Sequence, residues 1–304
     1  MGISYLAARM MWDARQRGVS FDRVLTLGHQ SLRLFPSEVE FFRSAYRQAF
    51  GSPTETFARR RRCDDYVDDF LREFLGTTSL TVLDNSSFEG ADTIHDMNVP
   101  VPASWHGAYD VVIDGGSLEH IFNVPTAFAN LGHMVKVGGT VFINTPANNM
   151  MGHGFYQFSP ELMFRIFNED NGFTVDKVLL YEARYPGLDL TRKDTVFEVI
   201  DPAVAGRRVG LQNDKPVMMM VEATKVRDVT MFRNPPQQSD YVAMWNGEGD
   251  GGSPVPWQEQ LKRTMRRLPV SVRAPLQGRH QKRVFSLANR QLYTRERWLP
   301  GRTR

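Results

Sequence analysis

Four short apolar runs in the first half of the chain each stop on a glycine or an aspartate: "RVLTLG" at 23–28, "LTVLD" at 80–84, "TIHD" at 93–96 and "YDVVID" at 109–114. Runs this short and this rich in Val, Ile and Leu read as strands buried on both faces. In an open α/β sheet the ligand lies outside the carboxyl ends of the strands, so an acid or a glycine at each end marks where it would sit. Helical segments separate the runs. Residues 4–17 place Tyr5, Leu6, Met10 and Met11 at helical spacing, and 125–135 reads as a helix with Pro125 in its first turn. Val137-Gly138-Gly139 then turns the chain into a fifth strand at 140–144, and two late strands are expected at 173–181 and 216–223. Strands alternating with helices predict a doubly wound α/β fold.

The spacing from Gly28 to Asp84 is about twice what a plain helical crossover needs. The excess, residues 37–76, reads as two helices, "SEVEFFRSAYRQAF" and "RRRRCDDYVDDFLREFL", a helical insert between the first and second strands that would serve as a lid or a dimer surface. Arginines 59–62 followed by Asp64, Asp65, Asp68 and Asp69 read as i,i+4 pairs on a solvated helix. The main domain is expected over 1–225 and a basic C-terminal extension over 226–304.

Composition narrows the class. With 41% hydrophobic and 23% charged residues in 304, the chain can bury one large core. No apolar run approaches the roughly 20 residues that cross a bilayer, and the N-terminal residues carry periodic charges instead of a secretory apolar core. Cys63, the single cysteine, excludes an internal disulfide. A cytoplasmic location with no membrane span is expected. Net charge is only +3, yet from Lys225 onward 16 Lys and Arg stand against 6 Asp and Glu.

The strand ends point to an adenosine. Asp84 can accept from both hydroxyls of a ribose, Asp96 can reach an adenine amino group, and Met97 can pack on the ring face. Gly28 allows close backbone approach, and Asp114 closes the fourth strand beside it. Histidines follow: His120 just past the fourth strand, and His153 in a glycine-flanked loop after the fifth.

These elements, in this order, resemble class I S-adenosylmethionine-dependent methyltransferases over roughly residues 20–225, on "VLTLG", the acid of "TVLD", "HDMN", "YDVVIDGGSLEHIFNV" and "LGHMVKVGGTVFINTP". "SLEHI" is similar to the segment that places a histidine beside the transferred methyl in small-molecule and sugar O-methyltransferases. "TPANNMMGHGFYQFSPELMFRIF" resembles bacterial members from polysaccharide and glycan clusters, the mycobacterial methylmannose polysaccharide enzymes among them. The resemblance implies a Rossmann-like, seven-stranded, mostly parallel sheet with an antiparallel last strand. It further implies S-adenosylmethionine as cofactor and transfer to a hydroxyl of a small-molecule or oligosaccharide acceptor.

The family's glycine-rich loop is reduced here to "GHQS", so His29 and Gln30 are expected to contact the methionine part of the cofactor with their side chains. An imidazole titrating near 6.5 suits a hydroxyl's proton, which makes His120 the first candidate for the base and His153 the second. Glu119 would orient the histidine or, with Asp114 and His120, hold a divalent ion such as magnesium. Tyr156 and Asn148 are expected on the acceptor side, and a homodimer is expected. The competing readings are an RNA-binding or RNA-modifying protein that uses the basic tail, and an inactive methyltransferase-fold scaffold. In the tail, "WQEQLKRTMRRL" and a later basic stretch carrying Phe285, Tyr293 and Trp298 mix cations with aromatics, although nucleic acid is not the expected partner. Nicotinamide dehydrogenation ranks last, since the G-x-G-x-x-G fingerprint is absent after the first strand.

Overall fold

The computed structural model describes residues 2–51, 65–183, 195–247 and 269–296. The arginines at 59–62, Cys63, the 257–268 stretch and Trp298 lie outside them. The apolar runs form β1 (Arg23–Leu27), β2 (Ser79–Asp84), β3 (Thr93–Ile94), β4 (Tyr109–Asp114), β5 (Val135–Asn148), β6 (Phe173–Glu182) and β8 (Val217–Lys225), and two short strands, β7 (Val196–Val199) and β9 (Tyr293–Arg295), join them. The order is β3-β2-β1-β4-β5-β8-β6-β7-β9. Strands β1 to β5 run parallel, while β8 is antiparallel to both β5 and β6.

The sheet thus has nine strands where seven were expected. The two additions extend the edge beyond β6 and are three or four residues long, too short to stand out from their polar surroundings. Strand β9 comes from the C-terminal extension; its Tyr293 is buried, as is Leu292 just before it. Strand β5 also begins earlier than expected. Tyr109 pairs with Val135 and Val111 with Thr140, so residues 136–139 bulge opposite Asp110, and Gly138 at φ 81° makes the turn that the glycine pair signalled.

Successive residues of the central strands enter opposite layers, which is why the runs are continuously apolar. Val24, Val111, Ile113, Phe142, Met218 and Met220 face one side. There they meet α1 (Tyr5–Gln16), α2 (Pro36–Phe50) and a helical turn at Phe70–Leu75. Leu25, Val112, Val141, Met219 and Val221 face the other side, covered by α3 (Val124–Met134) and α4 (Pro160–Ile166). The described part of the insert contributes to the first layer: Phe42, Phe70 and Phe74 are fully buried, and Phe74 meets Trp12 edge-on at 6.3 Å. In the extension, α5 (Val270–Val284) buries no residue. No helix among the described residues is long and apolar enough to cross a membrane.

Candidate functional site

Strand order reverses between β1 and β4, and a crevice opens at their carboxyl ends. A cavity of about 420 Å³ lies there, lined by Gly28, His29, Gln30, Asp84, Asp96, Met97 and His120 among others. Gly28 forms its floor at φ 74°, with its N–H donating to the Leu83 carbonyl at 2.7 Å. A Cβ at this position would stand 3.3 Å from Gln30 Nε2 and 3.6 Å from Asp84 Oδ2, so the glycine provides both the turn and the clearance.

Asp84 holds its carboxylate in place with one oxygen. Oδ1 accepts from the N–H groups of Asn85 (2.6 Å) and Ser86 (3.4 Å), while Oδ2 faces Gly28 with no hydrogen-bond partner among the described residues. Asp96 is exposed, and the backbone and side-chain N–H groups of Asn98 hold its carboxyl below the usual range. Met97 is buried beside Asn130.

The reduced glycine loop has a structural account. His29 stacks on Tyr66 with centroids 3.4 Å apart, and its ring nitrogens reach Asp68 Oδ2 (3.0 Å) and the Glu89 carbonyl (2.7 Å). Gln30 is buried, donates from Nε2 to the Leu27 carbonyl and fills the space above Gly115, where any Cβ would collide with its amide. Both side chains therefore bind protein groups from the insert and the neighbouring loops, although both still line the cavity. Tyr66 and Asp68 carry no motif that sequence reasoning could use.

Behind the cavity the acids are buried. Asp114 Oδ1 accepts from the N–H groups of Ser117 (2.8 Å) and Leu118 (3.3 Å), while Oδ2 is buried without a partner. Burial raises its pKa. Glu119 is fully buried; Thr145 Oγ1 donates to its Oε2 at 3.2 Å, and its Oε1 has no hydrogen-bond partner. Burial and then the nearby Asp114 push its carboxyl up to about 8.

His153 Nε2 stands 3.5 Å and His120 Nε2 4.0 Å from Glu119 Oε1. The imidazole centroids are 5.4 Å apart, and burial lowers the pKa of both rings. The loop after β5 is folded onto Glu119: its carbonyl accepts from Phe155 (2.8 Å) and Tyr156 (3.2 Å), and a Cβ at residue 154 would lie 2.8 Å from that carbonyl. Gly154 is what lets His153 come close. The structure thus brings Glu119, His120 and His153 together, with His120 alone of the three lining the cavity.

Five expected site residues stand apart from the cavity lining: Glu119 and His153, which meet behind His120, and Asp114, Tyr156 and Asn148. Asp114 is not in the convergent group of Glu119, His120 and His153; its one bonded oxygen closes the turn after β4. Tyr156 donates its hydroxyl to the Phe122 carbonyl at 2.8 Å and stacks on Phe158. Asn148 reaches Asn213 Oδ1 at 3.2 Å and ties the end of β5 to the segment before β8. Thr145, which orients Glu119, was missed; its only signal was its place near the end of the fifth strand.

No family model matches this chain, and no curated protein matches it. Among solved structures it is similar to a candidate methyltransferase of Bacillus halodurans at 8% identity, covering 71% of this chain and 99% of that one, with a TM-score of 0.41. The YcgJ protein of Bacillus subtilis gives 7% identity, 73% and 99% coverage and a TM-score of 0.40. The 1,6-didemethyltoxoflavin-N1-methyltransferase of Burkholderia thailandensis, solved with S-adenosylhomocysteine, gives 13%, 73%, 79% and 0.37. At these scores the likeness carries no weight for function.

Proposed function

We propose that this chain is an S-adenosylmethionine-dependent O-methyltransferase that acts on a hydroxyl of a sugar or oligosaccharide. The observation that carries the reading is the floor of the cavity, where Gly28 at positive φ faces the unpartnered Oδ2 of Asp84. A carboxylate fixed through one oxygen and open at the other suits a vicinal diol, and Met97 offers a soft wall for a planar base. The volume is within the range of small-molecule sites.

Bound there, the cofactor would supply an electrophilic methyl, so the chain's task is to align an acceptor oxygen and take up its proton. His120 is the member of the histidine pair that lines the cavity, and a lowered pKa keeps its imidazole neutral and able to accept. Glu119 stands behind it as a positioning residue, held by Thr145. The sugar assignment rests on the resemblance of "SLEHI" and of the loop after β5. It is supported by Phe122 and Phe155, which meet edge-on at 6.1 Å and are 73% and 68% exposed, an apolar surface for the C–H face of a sugar ring.

Calorimetric titration of the full chain with S-adenosylhomocysteine tests the cofactor. Saturable binding that Asp84→Ala weakens supports the reading, and no binding sinks it. Transfer of labelled methyl to a panel of oligosaccharides, with phenols and simple alcohols beside them, tests the acceptor class. Activity confined to the non-sugar hydroxyls would remove the sugar and keep the methyltransferase.

A further inference from the structure

We infer that Glu119, His120 and His153 bind one divalent transition-metal cation, of the class that accepts two imidazoles and a carboxylate, such as Zn²⁺, Mn²⁺ or Co²⁺. The site starts from an unmet requirement. Glu119 is fully buried, Thr145 satisfies one of its oxygens, and the other is buried with no donor. A buried carboxylate oxygen without a partner carries the full cost of desolvation. Among the described residues no lysine or arginine forms an ion pair with it.

What Oε1 faces instead is a pair of imidazole nitrogens, His153 Nε2 at 3.5 Å and His120 Nε2 at 4.0 Å. His153 Nε2 is itself buried without a hydrogen-bond partner. These separations are long for a hydrogen bond. They are near what a shared cation needs, since two ligands at about 2.1 Å from one ion stand at most about 4.2 Å apart. All three ligand atoms fall within 4.8 Å of one another, and among the described residues this is the one such group of His, Cys, Asp and Glu. Tetrahedral ligands at about 2.1 Å stand about 3.4 Å apart, so closing the set takes a shift of up to about 1.4 Å, and the His120 side chain, 49% exposed, has room to make it.

The donors select the cation class. Two of the three are nitrogens, which suit zinc, manganese or cobalt and not magnesium, a cation that prefers oxygen. Thr145 fixes the coordinating carboxylate from behind, as outer-shell partners of metal sites do. Three protein ligands would leave a position open, and His120 ties the cation to the lining of the cavity. A hydroxyl bound there would lose its proton to solvent more readily. That catalytic consequence rests on the methyl-transfer reading, whereas the binding itself rests on geometry alone.

The test uses the full chain, stripped with chelator and dialysed, without cofactor. Titration with Co²⁺ followed by visible absorption, and with Zn²⁺ followed by calorimetry, should show one equivalent per chain with nitrogen-donor bands, and Mg²⁺ should show neither. His153→Gln and Glu119→Gln should each weaken binding roughly a hundredfold or more, and Thr145→Val about tenfold. Asp84→Ala should leave metal affinity unchanged. Should Glu119→Gln fail to fold, His153→Gln, in a surface loop, still decides. Binding that is not saturable, or that survives His153→Gln intact, overturns the site. S-adenosylhomocysteine binding measured in chelator separates the two readings: bound nucleoside without metal leaves the methyltransferase standing, and metal without nucleoside leaves the site standing.

Discussion

The two ends of the one sheet treat charge in opposite ways. Toward the amino ends of the parallel strands each buried acid has a cation or a donor: Asp110 takes the Arg23 N–H at 2.9 Å and pairs with Lys136, and Glu222 pairs with Arg17. Buried Lys225 there reaches Asp228 at 2.7 Å and the carbonyls of Gly132 and Val135. At the carboxyl ends Asp84, Asp114 and Glu119 have no lysine or arginine partner among the described residues. Burial pushes up the carboxyls of both Glu222 and Glu119, but Arg17 opposes it in the first case and Asp114 adds to it in the second. Burial of an acid is thus common to structure and site. What distinguishes the site is that no lysine or arginine among the described residues offsets the burial, which only hydrogen-bond donors oppose.

Substitutions at the carboxyl end should therefore cost function, and those at the amino end should cost stability. The largest effect is expected at His120. His120→Ala should lower turnover roughly a hundredfold or more, with affinity for S-adenosylhomocysteine unchanged. The neutral ring is needed whether it accepts a proton or coordinates a cation. The rate should rise with pH and level off, with the limb below the ordinary imidazole value of about 6.5 because burial lowers the pKa. Wild-type turnover in the alanine variant would break the comparison at its strongest point.

Next comes Asp84. Asp84→Ala removes the open oxygen at the cavity floor and should weaken S-adenosylhomocysteine by roughly 2 kcal/mol, about thirtyfold, with a smaller loss of stability, about 0.5–1 kcal/mol, because Oδ1 is lost too but the N–H groups of Asn85 and Ser86 that it accepts from are exposed and can turn to water. Calorimetry alongside a melting curve reads both at once. Equal losses in both would make Asp84 a structural acid like Asp110.

The legibility of these regions differs for a physical reason. The parallel half of the sheet could be read because strands buried on both faces need unbroken apolar runs, and the strand-end acids could be read because they close those runs. Strands β7 and β9 bury a single side chain or two and leave no such trace. Glu119, His120 and His153 were each nameable from the sequence, but their convergence was not. It depends on a loop 33 residues away that folds back through the N–H groups of Phe155 and Tyr156, and on the absence of a Cβ at Gly154. Asp114 sat as well as Asp84 at a strand end. Only the fold shows that it is buried behind the cavity and spends one oxygen on the next turn.

At the amino end, Arg17→Met leaves Glu222 buried without its cation. Breaking a fully buried pair costs about 3–5 kcal/mol. The Arg17 side chain is 44% exposed, so we expect roughly 1.5–2 kcal/mol, read by denaturant unfolding, with turnover unaffected. Glu119→Gln gives the opposite sign. The folded-state pKa is raised to about 8, above the unfolded value near 4.3. Its contribution to stability is thus full below the unfolded value and is lost as pH rises through the folded one. Metal-free wild type should lose stability across that window and Glu119→Gln should lose less, so the two unfolding profiles should converge in acid and separate at pH 8.

The smallest effect is expected at Tyr156, and it sharpens the boundary of the site. This residue was read from the sequence as an acceptor contact, yet its hydroxyl donates to the Phe122 carbonyl at 2.8 Å and its ring lies on Phe158, centroids 5.8 Å apart. Both contacts belong to the packing that fixes the loop after β5 over the 3₁₀ turn carrying His120. Tyr156→Phe keeps the ring and removes one exposed hydrogen bond, so stability should fall by about 0.5 kcal/mol or less, while turnover and acceptor KM stay near wild type. A severalfold rise in KM with turnover unchanged would mean that the hydroxyl leaves Phe122 to meet the acceptor. It would then belong with His120 among the groups whose substitution costs function. Loss of turnover without a change in KM would instead show that the Phe122 bond sets the position of the imidazole.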